Sequence, residues 1–222
     1  MNFIESLYDV FLDSLPILLH GAAKTFQLAV LSLIAATILG LVFGMLRIST
    51  NKMLRFIAHI YLSVIRGTPL YVQLVFSYFA LLPAIFGQSI DPFTAGALAL
   101  SLNAGAYLVE IFRGGIESID KGQMEAGRAI GFTHFQTMRY IILPQAIKRM
   151  VPSFVNQFII TLKDTSLLSA IGVMELMYSG QTIYSVNFKT FEVLTIVAFM
   201  YWAIVTLLTS VANWIERRMA QS

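Results

Sequence analysis

The chain of 222 residues is 57% hydrophobic and 12% charged, with a formal net charge of +3 and a mean hydropathy of +0.75. This is more apolar surface than one soluble core of that size can bury, so the composition excludes an ordinary soluble domain and predicts an all-α membrane protein. The absence of cysteine and the wide separation of His20, His59 and His134 exclude thiolate metal sites and predict that the chain binds no metal.

The N-terminal segment, residues 1–20, carries acidic side chains one helical turn apart among apolar ones. These are Glu5, Asp9 and Asp13. A secretory signal begins with basic residues, so this segment is not one. The pattern predicts an external amphipathic helix at the membrane surface, with a frayed terminus as the alternative.

Five transmembrane helices are predicted in the domain formed by residues 21–218. A helix needs about 20 apolar residues to cross the hydrocarbon core. Four charge-free stretches meet or nearly meet this length: 25–46, 67–90, 92–109 and 193–215. The fifth span lies within residues 140–174, and its limits are open because charged side chains interrupt that stretch.

Basic residues fall mainly on one side of these spans. They follow the first span, surround residues 118–138 and end the chain. By the positive-inside rule these regions are cytoplasmic, so five crossings place the N-terminus outside and the C-terminus in the cytoplasm. The net positive charge therefore requires no nucleic-acid partner. The connection at 166–189 is external, and its apolar composition predicts a re-entrant or interfacial element.

The cytoplasmic loop, residues 118–138, contains the signals of two short helices. Asp120 and Thr133 are N-cap residues, each with a glutamine three positions later. Gly131 between them suits a left-handed C-terminal cap. From these signals alone the loop is either a helical connection on the membrane surface or a built surface for a partner.

The loop resembles the coupling motif of ATP-binding-cassette importer permeases. That motif reads Glu-Ala-Ala, then a glycine, then an apolar residue before Leu-Pro, and the matching residues are Glu125, Ala126, Gly127, Gly131 and Pro144. The departure is Gly127, where the motif has alanine. The change keeps the position small and is expected to cost about 1 kcal/mol of helix propensity.

Three longer stretches are similar to the polar amino acid permease family of type I importers: RGTPLYVQL at 66–74, AYLVEIFRGGIESIDKGQMEAG at 106–127, and LKDTSLLSAIG at 162–172. The resemblance implies a permease subunit of a prokaryotic inner membrane that pairs with a second copy or a paralogue in the lipid bilayer. It also implies two cytoplasmic ATPase subunits, which bind ATP and magnesium, and an extracytoplasmic amino-acid-binding protein. No cofactor is then bound by this chain itself.

Charged residues inside spans are costly and need partners or a function. Arg66 precedes a Gly-Thr-Pro kink and is either a snorkelling side chain or an ion-pair partner near the substrate path. Lys163 and Asp164 indicate a helix break. They either form an outer gate or bind the charged groups of the substrate, or they form a structural salt bridge to another helix. Glu110 and Arg113 form a structural i,i+3 pair.

Uncharged polar side chains complete the predicted substrate path. Asn156, Gln157 and Thr161 lie on one span, and Asn103 lies on another; such residues either contact substrate or only join helices. In relatives that import basic amino acids, the position of Gln157 tends to carry a glutamate. Because an amide supplies no charge but exchanges two hydrogen bonds with another amide, Gln157 favours glutamine as the substrate.

Other classes of function are less well supported by the sequence. There is no His-Glu-x-x-His, Gly-x-Ser-x-Gly or phosphate-binding Gly-rich motif, so the chain is predicted not to be an enzyme and not to bind ATP. The alternative is an ATP-independent secondary carrier or channel for small polar solutes. A carrier would be expected to show inverted repeats, and an odd number of spans does not provide them.

Overall fold

The structure is a computed structural model that describes residues 3–220, with side chains described from 5 to 218. Every regular element in that part of the chain is helical. The helices are α1 (Phe3–Ile48), α2 (Lys52–Gly67), α3 (Leu70–Phe76), α4 (Leu82–Phe86), α5 (Pro92–Glu117), α6 (Lys121–Ala129), α7 (His134–Thr137), α8 (Leu143–Asp164), α9 (Leu176–Asn187) and α10 (Thr190–Ala220). The predicted all-α architecture is confirmed.

Helix α1 is continuous over 46 residues, or about 69 Å. It therefore joins the predicted N-terminal segment to the first span, and the described part of that segment is not a separate helix. Val10 and Leu18 are buried in one apolar cluster with Leu176 and Val193 of α9 and α10. This face packs on the helix bundle because a lone amphipathic helix would leave it uncovered. Residues 1 and 2 lie outside the described part.

Within the described residues, three helices are long and apolar enough to cross a membrane: Glu5–Ile48, Pro92–Glu117 and Thr190–Arg218. A fourth span results if α2 and the helical run Leu70–Phe86 count as one bent unit. Helix α8 has 22 residues and is about 33 Å long, but charged residues lie near both of its ends. It corresponds to the fifth predicted span.

The predicted kink after Arg66 is confirmed. The axes of α2 and the run Leu70–Phe86 differ by 106°. Thr68 and Pro69 between them have extended backbones. Proline disfavours helical geometry in the residue before it, so the chain must leave the helix at Thr68.

Two π-helical turns each lie just ahead of a proline. They occupy Ser77–Leu81, before Pro83, and Met138–Ile142, before Pro144. Proline has no N–H and its ring clashes with the carbonyl of the preceding turn, so a wider turn keeps the helix going. The helical path that begins at α7 accordingly continues through Pro144 into α8.

Helix α5 lies at the centre of the bundle, with α1 closely packed against it. A Cβ added to Gly105 would lie 3.1 Å from the Cβ of Leu39, and one added to Gly40 would lie 2.9 Å from the Cβ of Leu108. Glycines at such a crossing let two helix backbones approach, which is a common device in membranes. On another side of α5, Gly115 faces Met150 of α8. The charged network and the cavity described below lie on these helices.

Candidate functional site

The cytoplasmic loop folds as its local signals predict. The Asp120 carboxylate accepts a hydrogen bond from the Gly122 N–H at 2.7 Å and begins α6. Gly131 has a φ of +94° and ends the turn in the left-handed region. Thr133 and Gln136 form a reciprocal capping box at 2.8 and 3.2 Å, which begins α7. The predicted pair of helices meeting at Gly131 is confirmed.

The inner face of α6 is tightly packed. Gly127 is buried, and a Cβ added there would lie 2.5 Å from the Thr137 methyl carbon and 3.0 Å from Ile141 Cδ1. Met124 packs against an apolar cluster that includes Ile119 and Ile142. Glycine at position 127 thus allows a close approach that alanine would obstruct.

The outer face of the loop is open. Glu125 and Ala126 are exposed, as are the apolar side chains of Ile130, at 71%, and Phe135, at 70%. Pro144 lies in the first turn of α8 and is also exposed. A two-helix element with a fixed inner face and an apolar outer face is suited to contact another macromolecule.

A second site is a charged network centred on Glu110 of α5. Its Oε1 binds Arg47 of α1 and, at 2.9 Å, Arg66 of α2. Its Oε2 accepts from Arg113 Nε and Nη2 at 3.0 and 2.9 Å, and Arg113 also pairs with Glu117. Arg66 is therefore an ion-pair partner, and the expected i,i+3 pair of Glu110 and Arg113 is confirmed.

Asn103 is buried beside the α2–α3 kink. Its amide donates to Gln73 Oε1 at 3.2 Å. The amide nitrogen of Gln73 in turn donates to the carbonyl oxygens of Ile65 and Thr68, at 2.7 and 3.0 Å. These contacts satisfy carbonyls that the broken helix leaves without an N–H partner. In this structure Asn103 therefore supports the kink, which is one of the two roles expected from its sequence context.

The predicted polar residues of α8 fall on two different faces. Gln157 and Thr161 are buried and lie 3.4 Å apart through Nε2 and Oγ1. Asn156, Ile160 and Lys163, at spacings of four and three, lie on one face and are exposed. One helix thus has a buried polar pair, Gln157 and Thr161, on one face and exposed Asn156 and Lys163 on another.

Gln157 and Glu110 line one cavity. It lies between α5 and α8, has a volume of about 470 Å³, and also includes Tyr107, Ser153 and Arg149. The structure therefore brings together one predicted path residue and a carboxylate that sequence reasoning assigned only to a helix-surface pair. The other predicted path residues, including Asn103 and Lys163, do not line it.

Helix α8 ends at Asp164, where a 3₁₀ helix, Thr165–Ile171, begins. The predicted break is confirmed. Among the described side chains neither Lys163 nor Asp164 forms an ion pair, so the structural salt bridge, one of the two alternatives left open from the sequence, is not present there. Lys163 lines a cavity of about 290 Å³ with Tyr201 and Trp202 of α10.

Sequence reasoning missed Glu175, a fully buried acid in the predicted external connection. Its carboxylate accepts from the N–H groups of Met177 and Tyr178 at 2.8 and 2.7 Å and from the Tyr201 hydroxyl at 2.8 Å. Burial raises the pKa of Glu175, although these hydrogen bonds oppose the shift. The signal available in the sequence was a single acid inside the apolar run from Val173 to Met177.

No group of three or more potential metal-ligating side chains occurs between residues 3 and 220. The fold and the loop instead define a class of membrane transport subunit. The model of the binding-protein-dependent transport system inner membrane component family matches residues 14–221. The chain belongs to this family. It is thus a permease subunit of an ATP-binding-cassette transporter with the type I importer fold, and an inner membrane component.

Similar proteins are found among curated sequences and solved structures. The chain is 43% identical over 206 residues to the glutamine transport system permease protein GlnP of Escherichia coli K12, covering 93% of this chain and 94% of that one. It is 46% identical over 205 residues to the L-cystine transport system permease protein TcyB of Bacillus subtilis, covering 92% and 87%. A crystal structure of an amino acid ABC transporter with histidines matches with a TM-score of 0.90 at 37% identity, covering 98% and 99%.

Proposed function

We propose that this permease imports a polar, neutral amino acid, with glutamine as the first candidate. The observation that carries the proposal is the buried Gln157 in the cavity between α5 and α8. An amide there can exchange two hydrogen bonds with a substrate amide. The similarity to GlnP supports the same substrate, and the similarity to TcyB makes cystine the first competitor to test.

The charge around this cavity argues against a cationic substrate. Both oxygens of Glu110 already accept hydrogen bonds from arginines. Arg149 also lines the cavity. A lysine or arginine substrate would meet guanidinium groups and no free carboxylate, which is electrostatically unfavourable.

The other predicted path residues keep that role in the proposal. Arg66, Asn103, Asn156, Thr161, Lys163 and Asp164 border the route together with Gln157. Lys163 and Asp164 lie at the break that ends α8, and neither is held by an ion pair within the described residues. Lys163 is therefore suited to bind the carboxylate of an amino acid, and Asp164 its ammonium group. The chain pairs with a second copy or a paralogue, which closes the route.

The loop couples the permease to ATP hydrolysis in partner subunits. Two cytoplasmic ATPases bind ATP and magnesium and dock on the exposed face that includes Glu125 and Ala126. The close contact of Gly127 with Thr137 holds α6 against α7, and Met124 packs in an apolar cluster with Ile116 of α5 and Ala146 of α8. Because α6 is held in this way, closure of the ATPases can shift the permease as a unit. Gly131 and Pro144 set the corner and the entry into α8.

The proposal includes an orientation in the membrane. The loop at 118–138 and the C-terminus lie in the cytoplasm, and the N-terminal segment lies outside, where an amino-acid-binding protein delivers the substrate. Basic residues lie at the end of the helix bundle that carries the cytoplasmic loop, among them Arg47, Arg113 and Arg149, and they support this assignment through the positive-inside rule.

The first experiment is uptake by the purified complex in liposomes, with glutamine, cystine and arginine in competition. We expect ATP-dependent uptake and preference for glutamine. The variant Gln157→Glu should move the preference toward arginine by about tenfold, because it adds a carboxylate to the cavity. The control is Gln88→Glu, which makes the same change at an exposed position in the link between α4 and α5. Unchanged preference in Gln157→Glu would overturn the assignment of this cavity.

Coupling is tested separately with Glu125→Lys. The variant should insert normally and reduce ATP-driven uptake by about tenfold or more, since the docking face changes charge. The control is Glu216→Lys near the end of α10, which makes the same charge change on the same side of the protein. Normal uptake by Glu125→Lys would contradict docking at this face, and uptake without any ATPase would favour a secondary carrier.

A further inference from the structure

Helix α2 presents three distinct faces along its 16 residues. One face packs on α1 and α5 and is buried or half-buried. Its members are Leu54, Ala58, Tyr61, Leu62 and Ile65. The other two faces are exposed and differ completely in chemistry. A helix with one polar and one apolar exposed face beside a protein bundle is suited to a polar environment on one side and an apolar environment on the other.

The first exposed face is basic and polar. Lys52, Arg55, His59, Ser63 and Arg66 follow one another at spacings of three and four residues, which places them on one side of the helix. Within the described part of the chain, Arg66 is the member of this face that forms an ion pair, and Lys52 and Arg55 meet no carboxylate. Their charges are available to an external anion.

The second exposed face is apolar and equally continuous. It consists of Met53, Phe56, Ile57, Ile60 and Val64. Phe56 is 58% exposed and Ile60 is 46% exposed. Such a run of large side chains would be unfavourable in water but is stable in contact with lipid acyl chains.

Contacts at the end of α2 fix its position in the bundle. The Tyr61 ring stacks on Phe43 with centroids 4.0 Å apart, and Arg66 shares Glu110 with Arg47. These contacts place the second half of α2 beside the last two turns of α1. The helix therefore lies at the end of the bundle to which the orientation above assigns the cytoplasm.

Helix α2 also crosses the bundle instead of running along it. The helical run after the kink follows α5, since Gln73 bonds Asn103 and Leu74 shares an apolar cluster with Ala95 and Ala99. Because α2 makes an angle of 106° with that run, its axis lies close to the membrane plane. In that position the buried face meets the bundle, the apolar face can contact acyl chains, and Lys52 and Arg55 of the basic face can contact headgroups.

We propose that α2 is an interfacial helix that binds anionic phospholipid headgroups of the cytoplasmic leaflet through Lys52 and Arg55, with His59 and Ser63 as further hydrogen-bond partners. The side assignment rests on the orientation proposed above, but lipid binding does not depend on the substrate or on transport. Basic side chains at the membrane surface attract anionic lipid, and an apolar face beside them holds the helix at that depth.

The absence of cysteine makes a site-specific test direct. Ile60→Cys, labelled with a fluorophore, reports on the apolar face, and the assembled transporter is placed in liposomes that contain phosphatidylcholine and phosphatidylglycerol in equal amounts. In separate samples one lipid or the other carries bromine on its acyl chains. We expect quenching by both lipids, and local enrichment of phosphatidylglycerol of about threefold or more.

Charge dependence separates specific from general lipid contact. Lys52→Gln combined with Arg55→Gln should abolish the enrichment, whereas Arg217→Gln combined with Arg218→Gln, which removes the same charge near the end of α10, should leave most of it. High salt should reduce the enrichment in the chain with both basic residues intact, which tests the idea even if a variant folds poorly.

Two outcomes would overturn the proposal. Absence of quenching at position 60 would mean that protein or water covers this face. Equal quenching by the two lipids, insensitive to salt, would mean that α2 touches lipid without selecting anionic headgroups. Both readouts are equilibrium measurements and are unaffected if glutamine proves to be the wrong substrate.

Discussion

Two acidic side chains, Glu110 and Glu175, are held in opposite ways. The two acids contact different parts of helix α1. Arg47, in the last turn of α1, binds Glu110. Thr25, about 33 Å earlier on the same helix, accepts a hydrogen bond from the N–H of Leu176, the residue after Glu175. Glu110 is partly exposed and surrounded by guanidinium groups, while Glu175 is fully buried among neutral donors.

The difference shows how one bundle combines a fixed region with a responsive one. Hydrogen bonds from neutral donors in a buried site depend little on salt and hold a single geometry. Ion pairs near a surface weaken with salt and can exchange partners. We therefore expect the Glu175 region to set the stability of the fold, and the Glu110 region, near the loop and the cavity, to permit rearrangement.

The largest effect is expected from Glu175→Ala. It leaves two backbone N–H groups and the Tyr201 hydroxyl buried without their acceptor, at a cost of about 3 kcal/mol. Thermal unfolding of the purified complex should show a clearly lower midpoint. Glu175→Gln retains an acceptor oxygen and is the matched control. Equal stability of Glu175→Ala and the parent chain would remove the contrast between the two regions.

Glu110→Gln should have an intermediate effect. The change removes the charge that joins Arg47, Arg66 and Arg113 while keeping the side-chain size. Partial exposure limits the loss of unfolding free energy to about 1–2 kcal/mol, but separation of the three cations should alter uptake more strongly. Chemical denaturation and uptake assays on the same preparation measure both. A loss of stability larger than that of Glu175→Ala would reverse the comparison.

The pH dependence of stability should distinguish the two acids. Because the pKa of Glu175 is raised above its usual 4.5, the folded chain keeps a proton that the unfolded chain releases. The stability that Glu175 contributes through this proton is fully present below pH 4.5. It decreases as the pH rises toward the pKa of Glu175 in the folded chain, by at most about 1.4 kcal/mol per pH unit. Unfolding midpoints measured upward from pH 4.5 should fall more in the parent chain than in Glu175→Gln. Parallel curves would contradict the shift.

Salt should produce the smallest effect. Raising ionic strength screens partly exposed pairs, so it should lower stability by about 0.5 kcal/mol in the parent chain and less in Glu110→Gln. Glu175→Gln should respond as the parent does. A parent chain that shows no salt response would indicate that the Glu110 network is shielded from solvent.

Features set by neighbouring residues could be predicted from the sequence. The caps at Asp120 and Thr133, the left-handed Gly131, the break after Arg66 and the end of α8 all follow from hydrogen bonds or steric conflicts within a few residues. Apolar composition likewise predicts a membrane protein, since it depends only on how much surface must avoid water. These local rules were sufficient for the cytoplasmic loop and for the helical class.

Features set by residues distant in the chain were decided by the tertiary structure alone. The partner of Arg66 is 44 positions away, and Tyr201 is 26 positions from the carboxylate it binds. Likewise, only packing reveals that Gly127 meets Thr137 and that the N-terminal segment continues into the first span. The sequence shows which polar and charged side chains need partners. Which residue becomes the partner depends on which helix faces pack together, and that is a property of the whole bundle.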